Sequence, residues 1–116
     1  MGLRLASVAI VVSVLPAMAQ EVPLEYRVKA AYLNNFVKYV EWPPEVSSTS
    51  FTMCVAGRNP FGDVLAETIR GERVDGRPIV ARVISDPDGE CRVVFVPRDV
   101  AITPYLPAPR GTLTVD

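Results

Sequence analysis

The chain contains no histidine. Histidine is the usual general base near neutral pH and a frequent metal ligand, so its absence excludes histidine-containing triads and zinc sites. Two cysteines cannot complete a metal tetrahedron unaided, and no Cys-x-x-Cys pair of a thioredoxin-type enzyme is present. Serine and threonine side chains have no base to activate them as nucleophiles. The inventory predicts a protein that is not an enzyme and holds no metal or cofactor.

The chain also lacks a large excess of either positive or negative charge. The chain carries 12 basic and 13 acidic residues, for a net charge of −1. It has no basic run and no basic patch interleaved with aromatic residues, both of which are typical of nucleic-acid binding. Nucleic acid is therefore excluded as an expected partner.

Long hydrophobic runs are limited to the N terminus. A single cation, Arg4, precedes an apolar core over 5–15, and small residues Ala17 and Ala19 follow. This pattern predicts a secretory signal over 1–19 that is cleaved after Ala19. The core is shorter than the roughly 20 residues of a membrane helix. We expect a periplasmic mature chain, 20–116, with no membrane span after cleavage.

Both cysteines, Cys54 and Cys91, lie in the exported part of the chain. An even count in an oxidising compartment favours a disulfide. Two buried thiols in neighbouring strands are the alternative. A crosslink closing about 38 residues is worth roughly 4 kcal/mol in the chain-entropy model, which is a large share of the stability of so small a domain.

The segment over 24–42 has no glycine or proline and predicts a long helix that ends at Pro43. At about 100° per residue, one arc of this helix is apolar and should face the core. The members of that arc are Tyr26, Ala30, Leu33, Phe36, Val37 and Val40, with Lys29 among them. Polar residues fall opposite: Arg27, Asn34, Asn35 and Lys38.

A second apolar strip on this helix, Val28, Tyr32 and Tyr39, lies apart from both groups. Either the helix is buried on two sides, or the strip is a contact surface. Aromatic side chains supply much of the binding energy at interface centres. We therefore predict Tyr32 and Tyr39 as partner-binding residues, with Trp42 and Phe61 as additions.

The remaining pattern alternates strands with a second helix. It predicts a buried strand over 51–57, a helix over 60–69 closed by Gly71, a turn at Asp75-Gly76, strands over 79–84 and 91–97, a proline-rich loop or broken helix, and a last strand over 111–116. This order predicts one small α/β domain with helices on a mixed or mostly parallel sheet. Because the chain stops directly after a strand, we expect the domain to be incomplete at its C terminus.

The stretch from Gly57 to Gly62 has the opening glycine spacing of a phosphate-binding loop. The Lys and Ser or Thr of that motif are replaced by Asp63 and Val64, which favours a plain strand-to-helix turn. The alternative is a small-ligand site formed by Gly57, Arg58, Asn59 and Gly62.

Two acidic patterns have ordinary explanations. Asp63 and Glu67 lie one helical turn apart, which is more typical of a solvated face than of a catalytic pair. The alternation of Asp86, Asp88 and Glu90 starts like a calcium loop but lacks the glycine and glutamate that such a loop requires later. We expect a turn there.

The segments VKAAYLNNFVKYVEWP, CVAGRNPFG, VDGRPIVARVI, CRVVFVP and LTVD follow one another in an order that resembles the YfiR-like family of exported bacterial proteins. The resemblance covers residues from about 26 to 116. It implies a periplasmic, non-catalytic α/β protein that binds the periplasmic part of a membrane diguanylate cyclase and lowers cyclic-di-GMP signalling.

The same resemblance implies that members can form a homodimer and respond to redox state. Cys54 and Cys91 match the cysteine pair that such members oxidise to a disulfide. The family continues beyond the position of Asp116 with further strands and a helix, so this chain resembles a C-terminally shortened member. A small-ligand binding module that uses the turn from Gly57 to Gly62 remains the alternative function.

Overall fold

The computed structural model describes residues 2, 21–43, 49–108 and 111–115. The predicted signal peptide and its cleavage site therefore lie outside the described residues, except for Gly2.

Five strands form one mixed sheet. They are β1 (Phe51–Ala56), β2 (Arg73–Val74), β3 (Arg77–Ile84), β4 (Cys91–Phe95) and β5 (Leu113–Val115), in the spatial order β2-β3-β1-β4-β5. Strands β3, β1, β4 and β5 run parallel, and only β2 is antiparallel to its neighbour. With helices α1 (Leu24–Tyr39) and α2 (Val64–Ile69), this architecture confirms the predicted α/β fold.

Strand β1 occupies the centre of the sheet, and all six of its residues are buried. A parallel strand covered on both faces needs apolar side chains on both, which explains the unbroken run FTMCVA. Its odd-numbered residues, Phe51, Met53 and Val55, face one core, and its even-numbered residues Cys54 and Ala56 face another. The two-residue period of a strand produces this division.

One face of the sheet, which we call the helical face, is covered by α1 and α2. The aromatic rings of Phe61 and Phe95 meet edge to face there, with centroids 4.9 Å apart. Its buried members come from both helices, from the turn before α2, and from β1, β2, β3 and β4: Ala30, Leu33, Val37, Phe51, Met53, Val55, Phe61, Leu65, Ile69, Val74, Ile79, Val93 and Phe95.

The other face, which we call the disulfide face, has a smaller core under a short 3-10 turn, Thr103–Tyr105. Cys54 and Cys91 are bonded to each other within it, with Cα atoms 5.8 Å apart. The other buried members are Ala56, Ile84, Val94, Val96 and Tyr105. Of the two alternatives, a disulfide and two free thiols, the structure contains the disulfide.

Helix α1 ends three residues earlier than predicted. Val40 already has an extended backbone, with φ −85° and ψ 136°. Trp42 folds back so that its indole Nε1 donates to the carbonyl oxygen of Val37 at 2.9 Å, satisfying one of the carbonyls that a helix end leaves without a partner. Asn34 was predicted to be on the polar side but is only 8% exposed.

Helix α2 starts at Val64, whereas the sequence predicted a start at Pro60. Asn59 does not cap the helix but closes the preceding turn, where its Oδ1 accepts from the Phe61 amide and its Nδ2 donates to the Gly62 carbonyl. The segment between Pro60 and Asp63 forms turns before the helix begins.

The turn at Asp75-Gly76 is confirmed, and it joins β2 to β3 as a hairpin. Asp75 and Gly76 have φ of 49° and 78°, the left-handed values of the tight turn that Asp-Gly favours between two strands. Sequence reasoning did not predict β2 because the strand has only two residues.

Candidate functional site

The outer surface of α1 exposes four large apolar side chains. Leu24 is 73% exposed, Val28 59%, Tyr32 57% and Tyr39 86%. At about 100° per residue these four side chains lie within roughly 80° of one another. We call them the α1 strip.

The α1 strip lies opposite the buried side of its helix. The buried residues of α1 are Ala30, Leu33, Asn34 and Val37, which fall about half a turn away from the strip around the helix. The strip is therefore not covered by the described residues. The two possibilities left open for it were a second buried side and a contact surface. The described residues do not bury the strip, and its role as a contact surface remains a prediction.

Tyr32 is held in place by its neighbour along the helix. Its ring stacks on that of Phe36, with centroids 5.6 Å apart and planes 18° from parallel. Phe36 in turn packs against the core of the helical face. A ring that is already positioned loses little conformational freedom on binding, which is a property of good interface anchors.

Ion pairs flank the α1 strip. Lys38 donates to Glu72 at 2.7 Å, and this hydrogen bond lowers the pKa of the Glu72 carboxyl. On the other side Glu25 accepts from Lys29 at 2.9 Å, which lowers the pKa of Glu25, and the Arg98 charge adds to the effect. The strip is therefore an apolar surface with a charged rim.

The two other predicted contact residues are placed differently. Phe61 is fully buried, with its ring edge to face against Tyr26 at 5.7 Å as well as against Phe95, so its side chain packs the core and is not presented to a partner. Trp42 is half-buried, packs edge to face against Phe51 at 4.9 Å, and already uses its indole N–H. Helical spacing identified the two exposed tyrosines, whereas aromatic character alone selected Trp42 and Phe61, which are not exposed.

Several polar groups of the turn from Gly57 to Gly62 already have hydrogen-bond partners within the chain. The Gly57 amide donates to the Ile84 carbonyl at 2.7 Å, and both polar atoms of the Asn59 side chain bond within the turn. Gly57 has φ +73°, and a Cβ there would lie 3.1 Å from a methyl carbon of Val100. Glycine is thus required by backbone geometry and close packing.

Arg58 does not face an empty site. Its Nε and Nη2 donate to both carboxylate oxygens of Asp99, at 2.9 and 2.8 Å. This bidentate bond raises the pKa of Arg58, with Tyr26 contributing, and lowers the pKa of Asp99. An anion at Arg58 would have to displace Asp99. Asn59 and Gly62 line a pocket of about 180 Å³ beside α2, so the alternative ligand site remains a prediction.

The acidic residues that the sequence analysis discussed form no shared site. Asp88 binds Arg82 at 2.8 Å and accepts from the Glu90 amide, which closes the turn before β4. Asp63, directly before α2, and Glu67 on α2 are both exposed. Among the described residues, no three His, Cys, Asp or Glu side chains group closely enough to hold a metal ion.

Comparison with known protein families shows to which family this chain belongs. The profile of the YfiR/HmsC-like family matches residues 26–115. The chain belongs to the YfiR/HmsC-like family. No curated protein and no solved structure matches it significantly. YfiR-like proteins are known for periplasmic regulation of diguanylate cyclases and are regulatory, not catalytic. None of the helices among the described residues of this YfiR-like chain has the length and apolar character needed to cross a membrane.

Sequence reasoning missed part of the surface of this YfiR-like chain. Leu24 belongs to the α1 strip because it lies four residues before Val28 and eight before Tyr32, a spacing that the sequence itself displays. Arg77 and Arg92 line a pocket with Trp42, but they are far apart in the sequence, and only the sheet brings them together.

Proposed function

We propose that the protein is a periplasmic, non-catalytic regulator that inhibits a membrane diguanylate cyclase by direct contact through the α1 strip. In this proposal the mature chain spans 20–116 after removal of the signal peptide. Family membership supports the regulatory role. One structural observation supports the proposed contact surface. It is the exposure of four side chains on one side of α1: Leu24, Val28, Tyr32 and Tyr39.

The composition of the α1 strip fits a protein partner. Two tyrosines offer large amphipathic rings, and two aliphatic side chains, Leu24 and Val28, extend the apolar area toward the N terminus of α1. Interface centres are enriched in such aromatic residues, while charged residues lie around them. The ion pairs at Glu25 and Glu72 would form that polar rim.

Regulation then requires no reaction. The strip binds the periplasmic part of the cyclase, and a change in that affinity alters cyclic-di-GMP synthesis inside the cell. A coupling free energy of about 1 to 3 kcal/mol shifts binding about 5- to 150-fold. The Cys54–Cys91 disulfide is the group through which the redox state would act, because it holds the sheet that supports α1.

Site-specific photocrosslinking in intact cells tests this proposal. A photoreactive residue at position 32 or 39 should crosslink a membrane protein that contains a diguanylate cyclase domain, identified by mass spectrometry. The same residue at position 67, exposed on α2, is the matched control and should give little product.

Two results would contradict the contact surface. Equal crosslinking from position 67 would mean that the α1 strip has no special role. Crosslinking only to a second copy of this chain would assign the strip to a homodimer and leave the cyclase contact without support. Export itself is checked by recovering the protein from the periplasmic fraction with Gln20 as its first residue.

A further inference from the structure

A pocket of about 290 Å³ opens at the amino ends of the parallel strands, where β1 and β4 begin and the β2–β3 hairpin turns. We call it the amino-edge pocket. Its lining is Trp42, Pro43, Phe51, Val74, Asp75, Arg77 and Arg92. Ligand pockets usually measure roughly 300 to 1,000 Å³, so this pocket lies just below the lower end of that range and would take only a small ligand.

The lining combines an apolar wall with two cations. Trp42 and Phe51 form the aromatic part. Arg77 is half-buried, and it makes no ion pair within the part of the chain that the structure describes. Half-buried cations normally find a compensating anion, because removing charge from water costs free energy.

Arg92 is the second cation, and its position is fixed by carbonyl groups. Its Nη2 donates to Gly89 at 2.7 Å and its Nη1 to Gly111 at 3.3 Å. Its Nε is buried and has no hydrogen-bond partner among the described residues. The guanidinium is therefore positioned by neutral groups while its charge has no anionic partner there.

The net charge of the pocket limits the ligand. Two arginines and one carboxylate, Asp75, give the lining a net charge of +1. Guanidinium groups recognise carboxylates through paired hydrogen bonds and also stack on aromatic rings. We propose that the amino-edge pocket binds a small organic monoanion, a carboxylate on a flat apolar body, with Arg77 and Arg92 holding the charge and Trp42 contacting the body.

This site is separate from the α1 strip and does not depend on the proposed regulatory function. It also differs from the turn between Gly57 and Gly62, which lies at the opposite, carboxyl ends of the strands. Trp42 connects the pocket to the end of α1, since its indole donates to the Val37 carbonyl. A ligand bound in the amino-edge pocket would thus affect the last turn of α1, the helix that carries the strip.

Trp42 is the only tryptophan of the chain, so its fluorescence reports directly on the amino-edge pocket. Purified protein with the disulfide intact is titrated with phenylacetate, and phenylacetamide, which has the same body without the charge, is the control. We expect a saturable change in emission with phenylacetate and none with phenylacetamide. No saturable change, or an equal change with the amide, would overturn the proposal.

Variants of the arginine residues test whether the Arg77 guanidinium binds the carboxylate of phenylacetate. Arg77→Gln should weaken phenylacetate binding at least tenfold, and Arg77→Lys should retain part of it. Arg82→Gln changes an exposed arginine at the other end of the same strand and should bind like wild type. Thermal melting of each variant checks folding. Wild-type affinity in Arg77→Gln would contradict the proposed role of the guanidinium.

Three further arms test the charge balance. Asp75→Asn, which keeps the left-handed turn residue, should strengthen binding severalfold because it removes the opposing carboxylate. Phenyl phosphate should bind no more tightly than phenylacetate, and much tighter binding would refute the single-charge assignment. Glu45 lies outside the described residues. If phenylacetate bound to Glu45→Gln but not to wild type, the pocket would accommodate the Glu45 carboxylate of the chain itself, and the proposal would be wrong.

Discussion

The two faces of the sheet are stabilised in different ways. The helical face buries three phenylalanine rings under α1 and α2, and its core extends from Ala30 to Phe95. The disulfide face has smaller side chains and one short 3-10 turn over it, and a covalent bond joins β1 to β4 at its centre. Large apolar side chains therefore stabilise one face, and a crosslink stabilises the other.

This difference separates the parts of the molecule that maintain the fold from the parts that remain available for contact. Helix α1 shows both properties on a single element, with Leu33 1% exposed on its inner side and Tyr39 86% exposed on its outer side. Substitutions on the inner side should affect stability, whereas substitutions on the outer side should affect binding. The predictions below test that separation, from the largest expected effect on stability to the smallest.

Removal of the disulfide should have the largest effect. The double substitution Cys54→Ala and Cys91→Ala frees a loop with a sequence separation of 37, and the chain-entropy model gives a loss of about 4 kcal/mol. Urea denaturation of the variant and of wild type measures this loss. A difference below about 1 kcal/mol would mean that packing alone stabilises the disulfide face.

Truncation of the inner side of α1 should come next. Leu33 is almost fully buried in the helical face, and Leu33→Ala should cost about 3 kcal/mol through lost burial and a residual cavity. Denaturant unfolding of this variant is the measurement. A cost near zero would show that α1 is not part of the core.

Truncation of the outer side should barely change stability. Tyr32→Ala and Tyr39→Ala remove exposed rings, and each should change the free energy of unfolding by about 0.5 kcal/mol or less. Together with Leu33→Ala they form a matched set on one helix. Losses comparable to that of Leu33→Ala would indicate that the rings are buried against part of this chain, and the strip would then be unavailable to a partner.

The smallest effect should come from the ion pair between Lys38 and Glu72. Lys38 lowers the folded-state pKa of Glu72 below its ordinary value of 4.5. A lowered pKa in the folded state stabilises the protein above the unfolded pKa, and this contribution is lost as the pH falls through the folded pKa. Because the pair is exposed, the loss should be small.

The pH dependence of Glu72 can be isolated by comparing variants. Unfolding is followed at pH 7 and pH 3 in wild type, Glu72→Gln and Glu67→Gln. Glu72→Gln should reduce the stability difference between the two pH values by more than Glu67→Gln does, because Glu67 has no ion pair in the described part of the chain. Identical pH dependence in all three proteins would remove the pair from the account.

The fold was largely predictable because its signals are local. The continuous apolar run of β1 and the Asp75-Gly76 turn each determine their own conformation. The end of α1 was not predictable, since it depends on Trp42 reaching back to Val37. The predicted start of α2 was wrong because Asn59 bonds within its own turn and does not cap the helix.

The candidate surface was only partly predictable for a similar reason. Helical spacing identified Tyr32 and Tyr39 as a group. It gave no information on Phe61, whose burial depends on Tyr26 and Phe95 from other elements. Contacts between distant segments likewise created the amino-edge pocket, so no local pattern in the sequence indicates it.

The cyclic-di-GMP content of cells tests the central claim most directly. Cells that contain the target cyclase are compared with and without this protein, and with the double variant Tyr32→Ala and Tyr39→Ala at equal periplasmic abundance. The account predicts that the wild-type protein lowers cyclic-di-GMP and that the double variant does not. Equal lowering by both proteins, or no lowering by wild type, would contradict regulation through the α1 strip.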